Sequence, residues 1–224
     1  MRSLYTILFF LCSLHNVRSQ SKISFEQYSF MGAGQASLLA PVAHYETKQN
    51  WYAEARYNYE DLNTFSLYAG HTFSGNKSFS WSLTPMVGGM AGKLKGGSVG
   101  LNSECSFKNF NFSSQSQYSI SAASKYDNFF YNWSELCYQP LHWLYAGIAF
   151  QHTRLYASNS LIDPGVLVAF SFNQWSFPVY SFNPLADQRY FVVGINWEWK
   201  HAANKHKKAD PPVLSKADER ITDQ

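Results

Sequence analysis

Charge, cysteine and long apolar runs are all scarce in this sequence. Charged side chains are 15% of the 224 residues, where a typical soluble domain is nearer a quarter. After the N-terminus no apolar run reaches the ~18 residues of a membrane-spanning helix, which excludes a helical membrane protein. Three cysteines are too few for a disulfide-stapled secreted scaffold. Basic excess is small as well. The formal net charge of +3 falls to +1 once Arg2 and Arg18 leave with the leader argued below, and this weighs against nucleic acid as a partner. What fills the gap is aromatic and uncharged polar. Aromatics reach 18%, which excludes disorder. Mean hydropathy is nevertheless −0.29, because Ser, Asn, Gln, Tyr and Gly take the place of charge.

Residues 1–19 read as a signal peptide. Arg2 gives a positive start, Leu4 to Leu14 a short apolar run, and Val17 and Ser19 the −3 and −1 positions of a cleavage before Gln20. Cys12 follows Phe9-Phe10-Leu11 rather than the small residues of a lipidation site. The chain is therefore expected to be exported. Cys105 and Cys137 remain, and one disulfide between them is neither required nor excluded.

From Trp51 to Trp199 the chain alternates with the period of two that belongs to strands. Trp51, Ala53, Ala55 and Tyr57 share one face, and Glu54, Arg56 and Glu60 the other. The same division recurs through Phe191, Val193, Ile195, Trp197 and Trp199 against Tyr190, Val192, Gly194, Asn196 and Glu198. This reading gives about ten strands, with eight or twelve as alternatives. Pro178, which lacks a ladder donor, predicts a short or distorted strand over 175–182. Short links at 74–77, 108–109, 140–142 and 173–174 alternate with longer ones at 89–96, 121–128 and 156–163. Residues 61–63 break that rule.

The apolar faces carry no acid, and His71 is the only titratable residue that shares their parity. The opposite faces are Ser, Asn, Gln, Thr, Gly and Tyr with few charges, unlike a soluble protein's outer surface. Aromatics crowd the strand ends, where interfacial girdles belong. Together these predict an all-β, closed, antiparallel up-and-down transmembrane barrel over 51–199, with the apolar face to lipid. Glu135 is placed inward beside Tyr131 and Trp133, since a carboxylate facing lipid is costly.

Tyr190-Phe-Val-Val-Gly-Ile-Asn-Trp-Glu-Trp199 resembles the closing-strand signal of bacterial outer-membrane β-barrels, with Gly194, Trp197 and Trp199 as its marks. Asn58-Tyr-Glu-Asp61 and Phe130-Tyr-Asn-Trp-Ser-Glu-Leu136 are similar to segments of small outer-membrane proteins from Bacteroidota-type bacteria. The resemblance covers residues 50–199. It implies an outer-membrane location with both termini periplasmic, contact with membrane lipid, and insertion by the barrel-assembly machinery. It brings no activity. Such barrels usually end at their last strand, whereas this chain continues for 25 residues.

Residues 20–50 lack a sustained strand pattern and read as a periplasmic lead-in or partial plug. Met31-Gly-Ala-Gly34 lacks the lysine and the strand–helix setting of a phosphate loop. Residues 200–224 switch to Lys, His, Pro and acid, and read as a disordered periplasmic tail that offers contact with a periplasmic or membrane partner.

Chemistry is harder to find. His71, His142 and His152 have no nucleophile and acid fixed beside them, and His152 is the best residue for an alternative reading as an outer-membrane hydrolase. No metal spacing or cofactor motif is present. The inward charges Glu54, Arg56, Glu104, Glu135 and Glu198 are expected to form a lumenal network. Closing a ten-stranded barrel would bring Glu198 and Glu54 together around Arg56. Bulky inward Tyr52, Tyr68, Tyr131, Trp133, Tyr145 and Tyr190 favour a filled lumen, and inward Gly70, Gly88, Gly100, Gly147 and Gly194 favour space. The expectation is a non-enzymatic barrel with a structural or partner-binding role and a mostly filled lumen. The alternative is a narrow, weakly cation-selective pore.

Overall fold

The computed structural model describes residues 21–32, 38–156 and 158–200. Thirteen strands follow one another: β1 (Lys22–Gly32), β2 (Leu38–Glu46), β3 (Trp51–Tyr57), β4 (Thr64–His71), β5 (Phe73–Asn76), β6 (Ser80–Gly92) and β7 (Gly96–Phe107), then β8 (Phe110–Ser121), β9 (Phe129–Leu141), β10 (Leu144–Leu155), β11 (Leu161–Phe172), β12 (Trp175–Phe182) and β13 (Tyr190–Lys200). β5 continues β4 along β6 in one register, Gly70 opposite Met86 and Phe73 opposite Leu83. The wall therefore has twelve strands. Apart from β4 and β5, which run end to end, every strand pairs antiparallel with its sequence neighbours; β4 meets β6 and β13 returns to β1, so the sheet has no free edge.

The expected ten strands become twelve, the higher of the alternatives. The two additional strands lie in residues 22–46, so this stretch is wall rather than lead-in or plug. Their alternation is masked for a physical reason. β1 turns Gln27 and Ser29 outward between Phe25 and Met31, and β2 is apolar on both faces, with Leu39, Pro41 and Ala43 outward and Ala40 and Val42 inward. Neither segment shows the polar–apolar contrast that marks a one-sided strand.

The termini-side end of the barrel carries the tight turns 47–50, 77–79, 108–109, 142–143 and 173–174. The opposite end carries 58–63, 93–95, 122–128, 156, 158–160 and 183–189. Residues 89–92 extend β6 instead of forming loop, which leaves only three residues, 93–95, before β7. Residues 61–63 cease to be an exception, because β3 stops at Tyr57. Asn58 and Asn63 take the left-handed conformation, with φ of 56° and 52°, and the Asn63 amide donates to Asn58 Oδ1 at 2.7 Å. Asparagine tolerates that conformation and supplies its own turn bond. Pro178 acts as expected. The β12–β13 ladder pairs Ser176 with Asn196 and Val179 with Val193, and skips the proline between them.

Side chains sort by parity. Val87 is 64% exposed, Val99 54% and Val166 49%, all pointing away from the lumen. A continuous apolar band of this kind fits hydrocarbon rather than water. Aromatic pairs edge it near the tight turns: Phe110 with Tyr138, Trp143 stacked on Phe170, and Trp175 with Trp197. A polar island on β8 and β9 interrupts the band. Asn132 donates to Ser114 and Ser116 at 2.9 Å each, and Ser134 bonds both Ser114 and Asn132. These side chains satisfy one another, which makes them tolerable on an apolar surface. Among the described residues no helix is long and apolar enough to cross a membrane.

The wall yields a direct test. Val87→Arg on the outer face should lower unfolding stability in lipid vesicles by ~2–4 kcal/mol, the cost of a cation at mid-depth. Urea titration of wild type and variant measures this difference.

Candidate functional site

The lumen holds one connected chain of charge. Glu54 and Arg56 lie two apart on β3 and both point inward, 2% and 1% exposed. Arg56 Nε donates to Glu54 Oε1, and its Nη1 donates to Glu60 Oε1 at 3.1 Å and to Gln117 Oε1 at 2.5 Å. Its guanidinium carbon sits 4.6 Å from the Tyr59 ring centre and 4.5 Å from that of Tyr68, within cation–π range. Glu54 continues to His44 Nδ1 at 2.9 Å and accepts from the Tyr52 hydroxyl. His44 Nε2 in turn lies 3.3 Å from Glu26, which accepts from the Tyr28 hydroxyl at 2.9 Å. At the other end Glu60 accepts from Ser66 at 2.5 Å and Tyr68 at 2.9 Å. A buried charge needs such partners, because removing it from water costs several kcal/mol.

The 58–63 loop supplies part of this chain. It folds into the barrel rather than away from it. Tyr59 donates to Gln115 on β8 at 2.5 Å and meets Tyr131 of β9 edge to face. A second crossing lies beside it. Trp133 of β9 packs against Tyr28 and Phe30 of β1 across the lumen, and against Tyr180 and Phe182 of β12. Towards the longer loops, Met90, Leu94 and Phe129 form a small apolar cluster with Tyr131 against it. The lumen is thus bridged wall to wall at mid-depth and backed by apolar side chains.

On the termini side of this closure the lumen widens. A cavity of about 450 Å³ is lined by Glu26, Tyr28, His44, Tyr59, Glu104, Trp133, Glu135, Tyr145 and Tyr180, among others. A second space of about 530 Å³ shares Ser24, Glu26 and Asn196 with it and reaches the 173–174 turn. The barrel therefore contains a cup, deep at Tyr28 and Trp133 and shallow at the tight turns.

The five charges singled out in the sequence separate into distinct places. Glu54 and Arg56 form the buried pair. Glu198 lies elsewhere, 2.5 Å from Lys22, because β13 closes on β1 and two strands stand between it and β3. The expectation that Glu198 meets Glu54 is thus overturned by the strand count. Glu104 is near the cup's shallow end, bonded by Ser82 at 3.3 Å. Glu135 points inward and accepts from Trp133 Nε1 at 2.7 Å and from the Tyr180 hydroxyl at 2.8 Å. Glu26 and His44 lie on strands whose alternation is masked, and Glu60, which shares the inward parity of Glu54 and Arg56, reaches them from a loop that turns into the lumen.

The inward glycines do not open space. A Cβ at Gly88 would stand 2.4 Å from the Tyr68 ring, and one at Gly100 2.7 Å from Met86. At Gly194 it would stand 2.7 Å from the Pro178 ring and 3.1 Å from Tyr28. Each glycine admits a bulky neighbour. Trp197 donates to Gln174 at 3.2 Å. Trp199 ends the same outward row. His152 sits on the outer face with its ring edge-on to Phe130, and its cross-strand neighbour Asn132 is engaged by serines. Cys105 and Cys137 are free thiols, one outward and the other inside. Residues 1–19 and the tail beyond Lys200 lie outside the described residues.

Neither family models nor curated proteins match the sequence. Solved structures do match the fold. The KdgM porin superposes with a TM-score of 0.57 at 13% identity over 78% of this chain and 98% of its own. Its complex with disordered oligogalacturonate gives 0.55 at 12%, covering 79% of this chain and 98% of that one. The NanC porin gives 0.54 at 9%, over 80% of this chain and all of that one. The chain has the porin-like fold of a closed antiparallel β-barrel.

The buried chain gives a stability prediction. Arg56→Leu should cost about 3–5 kcal/mol, because it strands Glu54 and Glu60 without their cation. Adding Glu54→Gln and Glu60→Gln should restore part of that loss, measured by urea unfolding in vesicles.

Proposed function

We propose that the protein is an integral outer-membrane barrel that binds a ligand or partner through the cup at its termini end, rather than an open channel. The single observation behind this is the closure at mid-depth. Arg56, Gln117, Tyr59 and Tyr131 meet from separate strands and one inward loop, with Tyr28 on Trp133 beside them. The apolar outer band and the likeness to porins support the membrane location. On this reading both termini and the tight turns face the periplasm, as short turns do in outer-membrane barrels, and the cup opens there. The inner surface also argues against carrying over the ligand of the KdgM complex. A polyanion such as oligogalacturonate would meet Glu26, Glu104 and Glu135 in this cup.

A narrow cation-favouring pore is the second reading, supported by the same carboxylates. The closure consists of side chains and one short loop, so it need only move for a path to open. Among the described residues no hydrogen bond links His152 to a serine or a carboxylate, so no contact of His152 supports the hydrolase alternative.

Planar bilayers separate the first two. Purified wild-type protein should give no steady current, and Arg56→Ala combined with Tyr59→Ala should raise conductance by widening the closure. Steady current from the wild type would overturn the closed-cup reading in favour of the pore.

A further inference from the structure

The deep end of the cup has a composition that selects a ligand class. Among the described residues Glu135 accepts hydrogen bonds only from the uncharged donors of Trp133 and Tyr180. No Lys, Arg or His lies within ion-pair distance of it among the described residues. The basic side chains lining the cup are already engaged: Lys22 with Glu198, and His44 with Glu26 and Glu54. Around Glu135 stand rings and no cation, and the nearby charge in the cavity is a second carboxylate, Glu26. Trp133 contacts Tyr28 at 5.8 Å and Tyr180 at 5.1 Å between centres. Tyr28 also contacts Glu26 through its hydroxyl, and Tyr145 lines the same cavity.

We propose that this deep end is a binding site for a small organic cation of the alkylammonium class. Glu135 supplies the counter-charge, and Trp133, Tyr28 and Tyr180 supply the aromatic surface. Ring faces attract cations electrostatically, and desolvation strengthens the attraction. A bare metal ion fits less well. It asks for several oxygen or nitrogen ligands at once, and no group of three or more His, Cys, Asp or Glu could hold one among the described residues. The cavity that holds Glu135, about 450 Å³, suits a ligand of modest size. Trp133 has a double role here. Its indole N–H fixes the Glu135 carboxylate while its ring lies on the path across the lumen.

This inference rests on the closed-cup reading, and the two fail separately. The test is isothermal titration of the purified full barrel in detergent with choline, and in parallel with 3,3-dimethylbutan-1-ol, its uncharged isostere. Saturable choline binding, at least tenfold tighter than that of the alcohol, is expected. Glu135→Gln keeps an acceptor for Trp133 and Tyr180 but removes the charge, and should weaken choline binding tenfold or more. Asp127→Asn, in the 122–128 loop at the opposite end of the barrel, should leave it unchanged. Heat-dependent gel migration of both variants reports whether the barrel is folded, and the comparison of the two probes on wild type needs no variant. Equal affinity for both probes, unchanged choline binding in Glu135→Gln, or no saturable choline binding overturns the proposal. Choline binding together with steady bilayer current keeps the site and rejects the closed cup. Absent binding without current does the reverse.

Discussion

The seam between β1 and β13 is the constraint from which the rest of the structure follows. A sheet in hydrocarbon has no water to satisfy an unpaired edge, so the ladder must close. Here it closes over eleven consecutive residue pairs, Lys22 opposite Lys200 through Gly32 opposite Tyr190. Closure through β1 places two more strands in the wall than the clear alternation suggests. It separates β13 from β3, sends Glu198 to Lys22, and leaves Glu54 for Arg56 and His44. A ten-stranded closure would have demanded a different network of charges from the same residues.

The outer face was legible because lipid imposes a simple rule on it. Every second residue of β3, β11 and β13, and of β4 and β10 up to His71 and His152, is apolar, and these rows point outward as the alternation requires. The apolar rows also fixed the direction of Glu135, since the alternative direction was costly. The inner face obeys no comparable rule. Which inward residues touch depends on strand number and stagger, and neither is written in a local pattern. β1 and β2 were illegible for a related reason. Gln27 and Ser29 point outward and Ala40 and Val42 inward, so composition there does not distinguish the two sides. The inward loop escaped because parity carries Tyr59 and Glu60 along as strand residues, while the left-handed turn at Asn58 has already ended β3.

Twelve strands enclose more room than side chains of a straight wall fill by themselves, since diameter grows with strand number. The chain answers in three layers along the axis. Nearest the longer loops, Met90, Leu94 and Phe129 pack together. At mid-depth the ionic chain from Glu26 to Glu60 spans three strands and a loop. On the β9–β13 side an apolar and aromatic cluster of Trp133, Leu167, Ala169, Tyr180, Phe182 and Val192 leans against it. Towards the tight turns, bulk gives way to serine, asparagine and carboxylate. The inward glycines belong to this filling. Gly88 lies under Tyr68, and Gly194 lies under Tyr28 and Pro178.

This layering sets how often the lumen could open. Passage past the mid-depth layer requires Arg56 to leave Glu54, Glu60 and Gln117, or the 58–63 loop to leave Gln115 and Tyr131. Breaking a buried ion pair costs about 3–5 kcal/mol, and each 1.4 kcal/mol is a factor of ten. An opening by that route would be populated roughly once in 10² to 10⁴ molecules, unless a ligand bound the open form better than the closed one. A carboxylate released beside the rings of the cup would be a poor exchange for the same carboxylate held by Arg56. A cation arriving from the cup is different, because it could take over Glu54 or Glu60 as Arg56 withdraws. The charge that closes the barrel is therefore the kind of charge that could open it, which ties the cup's preference for cations to the stability of the closure above it.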